Sequence, residues 1–177
     1  TVRNTTTTGL ALDDCENALV DNVTFENCGG TNGAVLATDS GAFTLGGGNQ
    51  IGGAGVACAW PLTIDAGSFP SAASVIPTAG NTSDAIQVRG GTSDRSGTWR
   101  PFPGLDYVVT SAPTVGAAGS LAVADGVTVR FAGNQRINVY GQLEVAGAPG
   151  GGVLMAPAAG ATSWYGLRFL TTGTGSL

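Results

Sequence analysis

Gly9-Leu10-Ala11-Leu12, Gly33-Ala34-Val35-Leu36 and Gly55-Val56-Ala57-Cys58 are three versions of one short phrase. In each, Gly precedes an apolar residue, a small or β-branched residue, and a second apolar residue. The phrases start 33 − 9 = 24 and 55 − 33 = 22 residues apart. A second alternating run follows each of them: Val23-Thr24-Phe25, Phe43-Thr44-Leu45 and Leu62-Thr63-Ile64, with Thr in the middle every time. A repeat of about 20–25 residues made of short strands and turns, with no helical stretch between, is the pattern of a β-solenoid.

In such a coil one face of each strand turns inward and packs on the coils above and below. The inward set read from this alternation is Leu10, Leu12, Val23, Phe25, Leu36, Phe43, Leu45, Val56, Cys58, Leu62 and Ile64. Leu12, Leu36 and Cys58 are expected to stack in successive coils. Thr24, Thr44 and Thr63 are expected to form one outward column, which would stabilise the sheet through neighbouring β-branched side chains. Asn22, Asn27, Asn32, Asn49 and Asn81 lie in or beside turns, where Asn tolerates left-handed backbone and bonds its own turn.

Composition supports the same class. Gly accounts for 30 of 177 residues and charged residues for only 11%, which is neither a disordered nor a helical-bundle profile. The net charge is −5, with seven Arg, no Lys and no His. The Arg residues are scattered, so no basic stripe exists for nucleic acid. Lack of His removes the commonest general base and metal ligand. No apolar run approaches membrane-spanning length. Of the three cysteines, Cys58 reads as a buried small hydrophobe. Cys15 and Cys28 read either as a pair in an oxidising compartment or as two separate thiols.

Along the chain, residues 1–89 read as a first coil block, 90–104 as an irregular loop, and 105–177 as a second coil block, all in one domain. Pro101 and Pro103 argue against a central strand in the loop, and Trp99 and Phe102 are its expected anchors. Beyond it come short strands punctuated by Gly119, Gly126, Gly133, Gly141, Gly147 and Gly166. About 22–25 residues per coil gives about 7–8 coils.

The second block carries a more specific resemblance. Gly119-Ser120-Leu121-Ala122-Val123-Ala124-Asp125-Gly126-Val127-Thr128-Val129-Arg130-Phe131, then Ile137-Asn138-Val139-Tyr140-Gly141-Gln142-Leu143, then Trp164-Tyr165-Gly166-Leu167-Arg168-Phe169 resembles bacterial surface proteins with right-handed parallel β-helix repeats, of the pectate-lyase-like superfold. Val23-Thr24-Phe25-Glu26-Asn27-Cys28 is similar to the later coils of that family. The resemblance implies an all-β, right-handed, single-stranded parallel β-helix in a secreted or cell-surface protein. It implies no particular catalysis. It also implies an order: the Trp-x-Gly-x-x-Phe coil usually precedes coils like Gly9 to Cys28, and here it comes last.

Written head to tail, the ends join as Thr174-Gly175-Ser176-Leu177 followed by Thr1-Val2-Arg3-Asn4, and the inward alternation continues across the join. The expected function is therefore a structural extracellular module that stacks C-terminal coil on N-terminal coil, as a homopolymer or as tandem copies in a longer surface protein. Its partner is itself, with those eight residues as the interface.

Candidate chemistry is thin. Asp13, Asp14 and Glu16 form the densest charge and are the residues to consider for Ca²⁺, which takes six or more oxygens. An acidic turn after a strand is more often simply solvated. Paired carboxylates can hydrolyse glycosides, so a carbohydrate-active or carbohydrate-binding β-helix is the alternative. No catalytic residue and no cofactor is assigned. Gly46-Gly47-Gly48 and Gly150-Gly151-Gly152 lack the Lys-Ser/Thr of a phosphate loop. The six Trp and Tyr residues are spread out and read as packing.

Overall fold

The computed structural model of the chain describes residues 1–77, 79–148 and 151–176. After β1 (Val2–Arg3), each circuit contributes up to three short strands. The first circuit has β2 (Leu10–Asp13), β3 (Leu19–Val20) and β4 (Thr24–Glu26), and the second has β5 (Val35–Thr38), β6 (Gly41–Leu45) and β7 (Gln50–Ile51). The third has β8 (Leu62–Ile64) and β9 (Ser68–Pro70), and the fourth β10 (Ile86–Val88), β11 (Gly91–Ser93) and β12 (Ser96–Trp99). Then follow β13 (Tyr107–Val109), β14 (Pro113–Val115) and β15 (Ser120–Val123), and β16 (Thr128–Phe131), β17 (Arg136–Val139) and β18 (Gln142–Val145). The last circuit holds β19 (Leu154–Pro157), β20 (Gly166–Phe169) and β21 (Thr174–Ser176). There is no helix among the described residues.

All strand pairings are parallel. One sheet runs the length of the molecule, in the order β2-β5-β8-β10-β13-β16-β19. Its seven rungs bound about six turns of a parallel β-solenoid, against the 7–8 coils expected from the repeat length. The other faces are made by β1-β4-β7 and β3-β6-β9 in the first half, and by β11-β14-β17-β20 and β12-β15-β18-β21 in the second.

Two inward columns line the long sheet. Leu10, Val35, Leu62, Ile86, Tyr107, Val129 and Met155 form one, and Leu12, Ala37, Ile64, Val88, Val109, Phe131 and Pro157 the other. From Val35 to Val129 and from Ala37 to Phe131 these side chains are almost wholly removed from solvent. Trp99 and Tyr107 stack inside the coil with centroids 5.2 Å apart. Burial pushes the Tyr107 phenol well up from its ordinary value. Its hydroxyl still has partners, donating to the Arg100 carbonyl at 2.9 Å and accepting from the Arg100 N–H at 3.2 Å.

Three expectations need correction. Leu36 does not stack on Leu12: Leu12 meets Ala37, and Leu36 lies on the outer face between Ala11 and Thr63. Cys58 is buried but precedes the strand rather than occupying that column. The cause is unequal coil length, 21 residues from Ile86 to Tyr107 but 27 from Val35 to Leu62. Matching Gly to Gly therefore slips the register by one, which turns every side chain to the other face. Second, Thr24, Thr44 and Thr63 fall in three different sheets and form no column. Third, residues 90–104 are not one irregular loop. β11 and β12 continue the coil there, and the longest stretch of it outside strands is Arg100 to Gly104. Trp99 and Phe102 are buried as anchors, but Trp99 belongs to a strand whose neighbour Gly97 makes room for the Phe69 ring.

Adjacent positions 35 and 36 test the register. Val35→Asp places an unpaired charge in the core and is expected to cost about 3–5 kcal/mol, whereas Leu36→Asp is expected to cost under about 1.5 kcal/mol. Urea denaturation midpoints of the two variants should differ widely. Equal losses would show that the inward face is misassigned.

Candidate functional site

Three regions carry polar chemistry or unfilled bonding capacity: the acidic corner after β2, a groove outside the long sheet, and the two ends of the coil.

The acidic corner follows from stacking. Asp13 pairs in register with Thr38, so Asp14 lies beside Asp39 one coil on. Both have left-handed backbone, with φ of 50° and 45°, a conformation Asp adopts readily. Stacked like charges repel, and Arg95, two coils further, relieves them. Its Nη2 donates to Asp14 Oδ1 at 2.7 Å, its Nε donates to Asp39 Oδ1 at 2.9 Å, and its Nη1 donates to Glu16 Oε1. The Asp39 and Glu16 bonds raise the guanidinium's affinity for its proton.

Gly67 leaves room for the Asp39 carboxylate: a Cβ there would sit 2.6 Å from Asp39 Oδ1 and 2.5 Å from Ser93 Oγ. Asp13 is occupied separately, accepting from Thr38 Oγ1 at 2.7 Å. Of the candidate Ca²⁺ residues, then, Asp14 and Glu16 are brought together but around a guanidinium, and Asp13 faces elsewhere. Among the described residues no group of three or more His, Cys, Asp or Glu converges as a metal site.

Other carboxylates cap turns of neighbouring coils. Asp94 Oδ1 accepts from the Ala118 N–H at 3.1 Å, and Asp125 Oδ1 accepts from Ala148 at 3.0 Å and Gly152 at 2.6 Å. Those donors hold the Asp125 carboxyl below its ordinary range.

The groove, about 830 Å³, runs beside the outer face of the long sheet from Trp60 past Asp84, Asp106 and Arg130 to Pro157 and Ala161. Arg130 Nε donates to Asp106 Oδ2 at 3.1 Å. Asp84 Oδ1 accepts from the Asn81 N–H and Nδ2 at 3.0 and 3.2 Å. Sequence reasoning missed this grouping because its members lie on five different coils with no local motif.

The ends differ from the middle. Among the described residues β1 pairs only with β4, and β21 only with β18. Val2, Arg3, Thr174, Gly175 and Ser176 thus sit on edge strands at opposite ends of the coil, with Thr1 and Asn4 flanking β1. Leu177 lies outside the described residues. In the last circuit the core columns lose their cover. Val129 and Val139 are fully buried, but their successors Met155 and Phe169 are half-buried and 40% exposed. Leu154 and Tyr165 nearby are 49% and 61% exposed.

Backbone direction is defined at these edges too. The N–H groups of Leu154 and Ala158 bond back to Val127 and Phe131. By the alternation of a parallel ladder, Met155 and Pro157 face the open side. At the other end the Leu10 and Asp14 N–H groups bond to Ala34 and Thr38, leaving Ala11 and Asp13 facing outward along the axis.

No family model matches the chain, and no curated protein or solved structure matches it either. The parallel β-solenoid is therefore established by its own pairing pattern.

Replacing Arg95 by Ala leaves Asp14, Glu16 and Asp39 facing one another. The melting temperature is expected to fall in dilute buffer and to recover partly in about 1 M salt, where the Debye length is about 3 Å. Arg95→Lys should not restore it, because a single ammonium lacks the planar fork that reaches three carboxylates. A salt-independent loss would show that charge is not what the clamp supplies.

Proposed function

We propose that this chain is a structural β-helix module of an extracellular or cell-surface protein, of the right-handed kind its sequence resembles, and that it stacks C-terminal coil on N-terminal coil of a second copy. The right-handed sense follows the strong preference of crossovers between parallel strands. The observation that carries the stacking is the uncovered core of the last circuit: a column buried over the five rungs from Val35 to Val129 ends on half-exposed Met155, and the buried Val115 and Val139 are followed by 40%-exposed Phe169.

A second copy fits in register. If its Leu10 and Leu12 extend the columns of Met155 and Pro157, its Ala11 and Asp13 N–H groups meet the Met155 and Pro157 carbonyls. The Met155 N–H meets its Gly9 carbonyl. Pro157 has no N–H, so one ladder bond of that set is lost. The contact is heterologous and propagates as an open filament. Seven rungs per unit give an axial repeat of about 34 Å at about 4.8 Å per strand.

The second reading, a carbohydrate-binding or carbohydrate-active β-helix, draws on the groove, where half-buried Trp60 offers a ring and Asp84, Asp106 and Arg130 offer hydrogen bonds to hydroxyls. On that reading, calorimetric titration with oligosaccharides gives binding that Trp60→Ala weakens at least tenfold. A protein that assembles and takes up no glycan dismisses it.

The stacking reading predicts filaments of purified protein in negative-stain electron microscopy, with a subunit repeat of about 34 Å. Phe169→Glu puts a charge where the next coil would pack but where solvent already reaches. It should abolish filaments while shifting the melting temperature by only a few degrees. Wild-type protein that sediments as a monomer at high concentration would overturn the proposal.

A further inference from the structure

Cys28 and Cys58 lie on successive coils at the same corner. Cys28 follows β4 and Cys58 follows β7, which pairs with β4. The Cys28 N–H donates to Cys58 Sγ at 3.4 Å, and the Cys58 thiol donates to the Phe25 carbonyl at 3.6 Å. The Cys28 thiol reaches the Val2 and Glu26 carbonyls, each at 3.5 Å. Burial, with Cys28 beside it, pushes the Cys58 thiol up from its ordinary range. Cys15 is elsewhere, its N–H on Ser40 Oγ and its thiol on the Asp13 carbonyl. The pairing raised from sequence, Cys15 with Cys28, is thus replaced by a neighbourhood that includes Cys58.

Both thiols are buried, Cys58 at 0% and Cys28 at 2% exposure, and only Cys28 borders an opening to solvent. Cys28 lines a pocket of about 460 Å³ together with Thr5, Thr6, Gly29, Gly30 and Ala59. A small reagent entering there meets Cys28 first.

We propose that Cys28 and Cys58 are a thiol–disulfide pair that a small organic disulfide oxidises, stapling the first two coils together. The Cys28 thiolate attacks one sulfur of the reagent, breaking its S–S bond and releasing one thiol. The Cys58 thiolate then attacks Cys28 Sγ and expels the second thiol. The two protein thiols lose two protons and two electrons, and the reagent takes both as two molecules of thiol. Stacked neighbours on adjacent parallel strands are about 4.8 Å apart, within the usual Cα separation of a disulfide. The bond closes a loop from residue 28 to residue 58, which restricts the unfolded chain and raises stability.

The test uses the whole chain in a Cys15→Ser background with oxidised glutathione as the probe. The expected product has lost two hydrogens in mass, has no thiol that alkylates after denaturation, and melts several degrees higher, reversibly on adding dithiothreitol. Cleavage at acidic residues, with Asp39 between the two cysteines, should yield two peptides joined until reduction. Cys58→Ser should instead stop at a glutathione adduct on Cys28, and Cys28→Ser should remain unmodified. In the Cys15→Ser protein, two free thiols after prolonged exposure, a persistent adduct at Cys28, or a disulfide between two chains would each overturn the proposal. Should either Ser variant fail to fold, the mass and peptide linkage of the Cys15→Ser protein decide it alone.

Discussion

Parallel stacking in register is the constraint on which everything else in this molecule depends. Each coil satisfies the backbone groups of the next, so whatever occupies one position must tolerate its own kind about 4.8 Å away. Inside, this selects columns of apolar residues. At the corners it selects columns of residues that turn alike. Asn4 and Asn27 stack with left-handed backbone, and the Asn27 Nδ2 donates to Asn4 Oδ1 at 3.1 Å. Gly119, Gly141 and Gly173 form another corner column. A Cβ on Gly141 would sit 2.2 Å from the Gly119 carbonyl oxygen, so any side chain there would push the coils apart.

This constraint explains why the fold class was legible and the register was not. Alternating apolar residues and recurrent Gly report strands and turns locally, and the eye needs no more to see a solenoid. Register requires knowing how many residues each corner absorbs. The corner between the long sheet and the next strand takes two residues at Asp39-Ser40 but five between β2 and β3. Leu36 and Val35 are both apolar, and nothing local decides which of them faces in. Likewise Thr24, Thr44 and Thr63 share a pattern but not a place, because the middle of any short strand suits Thr. The Asn turns were read well at Asn22 and Asn27, which have positive φ. Asn49 acts differently: its Oδ1 accepts from the Val23 N–H at 3.0 Å and its Nδ2 donates to the Val20 carbonyl at 2.7 Å, binding one coil to another.

The acidic residues illustrate the same limit. Sequence shows Asp13, Asp14 and Glu16 as a cluster, and a cluster invites a metal. Yet the residue that answers their charge is 79 to 81 positions away, and only the winding of the coil brings it there. Asp94 and Asp125 are spent on turn N–H groups of later coils. With few basic residues, carboxylates here act as acceptors for backbone donors that the tight corners leave unpaired. An excess of acid over base is thus compatible with a chain whose charges are mostly structural.

β2 and β19 are the outermost described strands of the long sheet, and the proposed stacking of one copy on another can be weighed against other contacts between those edges. Two C-terminal edges could meet across a two-fold axis, but then each chain would present Pro157 to the other, and the ladder would lack a donor on both sides. That arrangement would also leave both N-terminal edges open. In a head-to-tail contact the missing donor occurs once per junction, opposite Ala11, and the β19 and β2 edges each meet a partner. Strand direction agrees as well: stacking by translation along the axis keeps β2 parallel to β19, as in all sixteen strand pairings among the described residues. A two-fold contact would demand an antiparallel ladder, in which residues alternate between close and wide pairs, and the inward columns would no longer run on from one copy to the next. On the proposed stacking, continuity of the core and economy of backbone bonds favour the same contact.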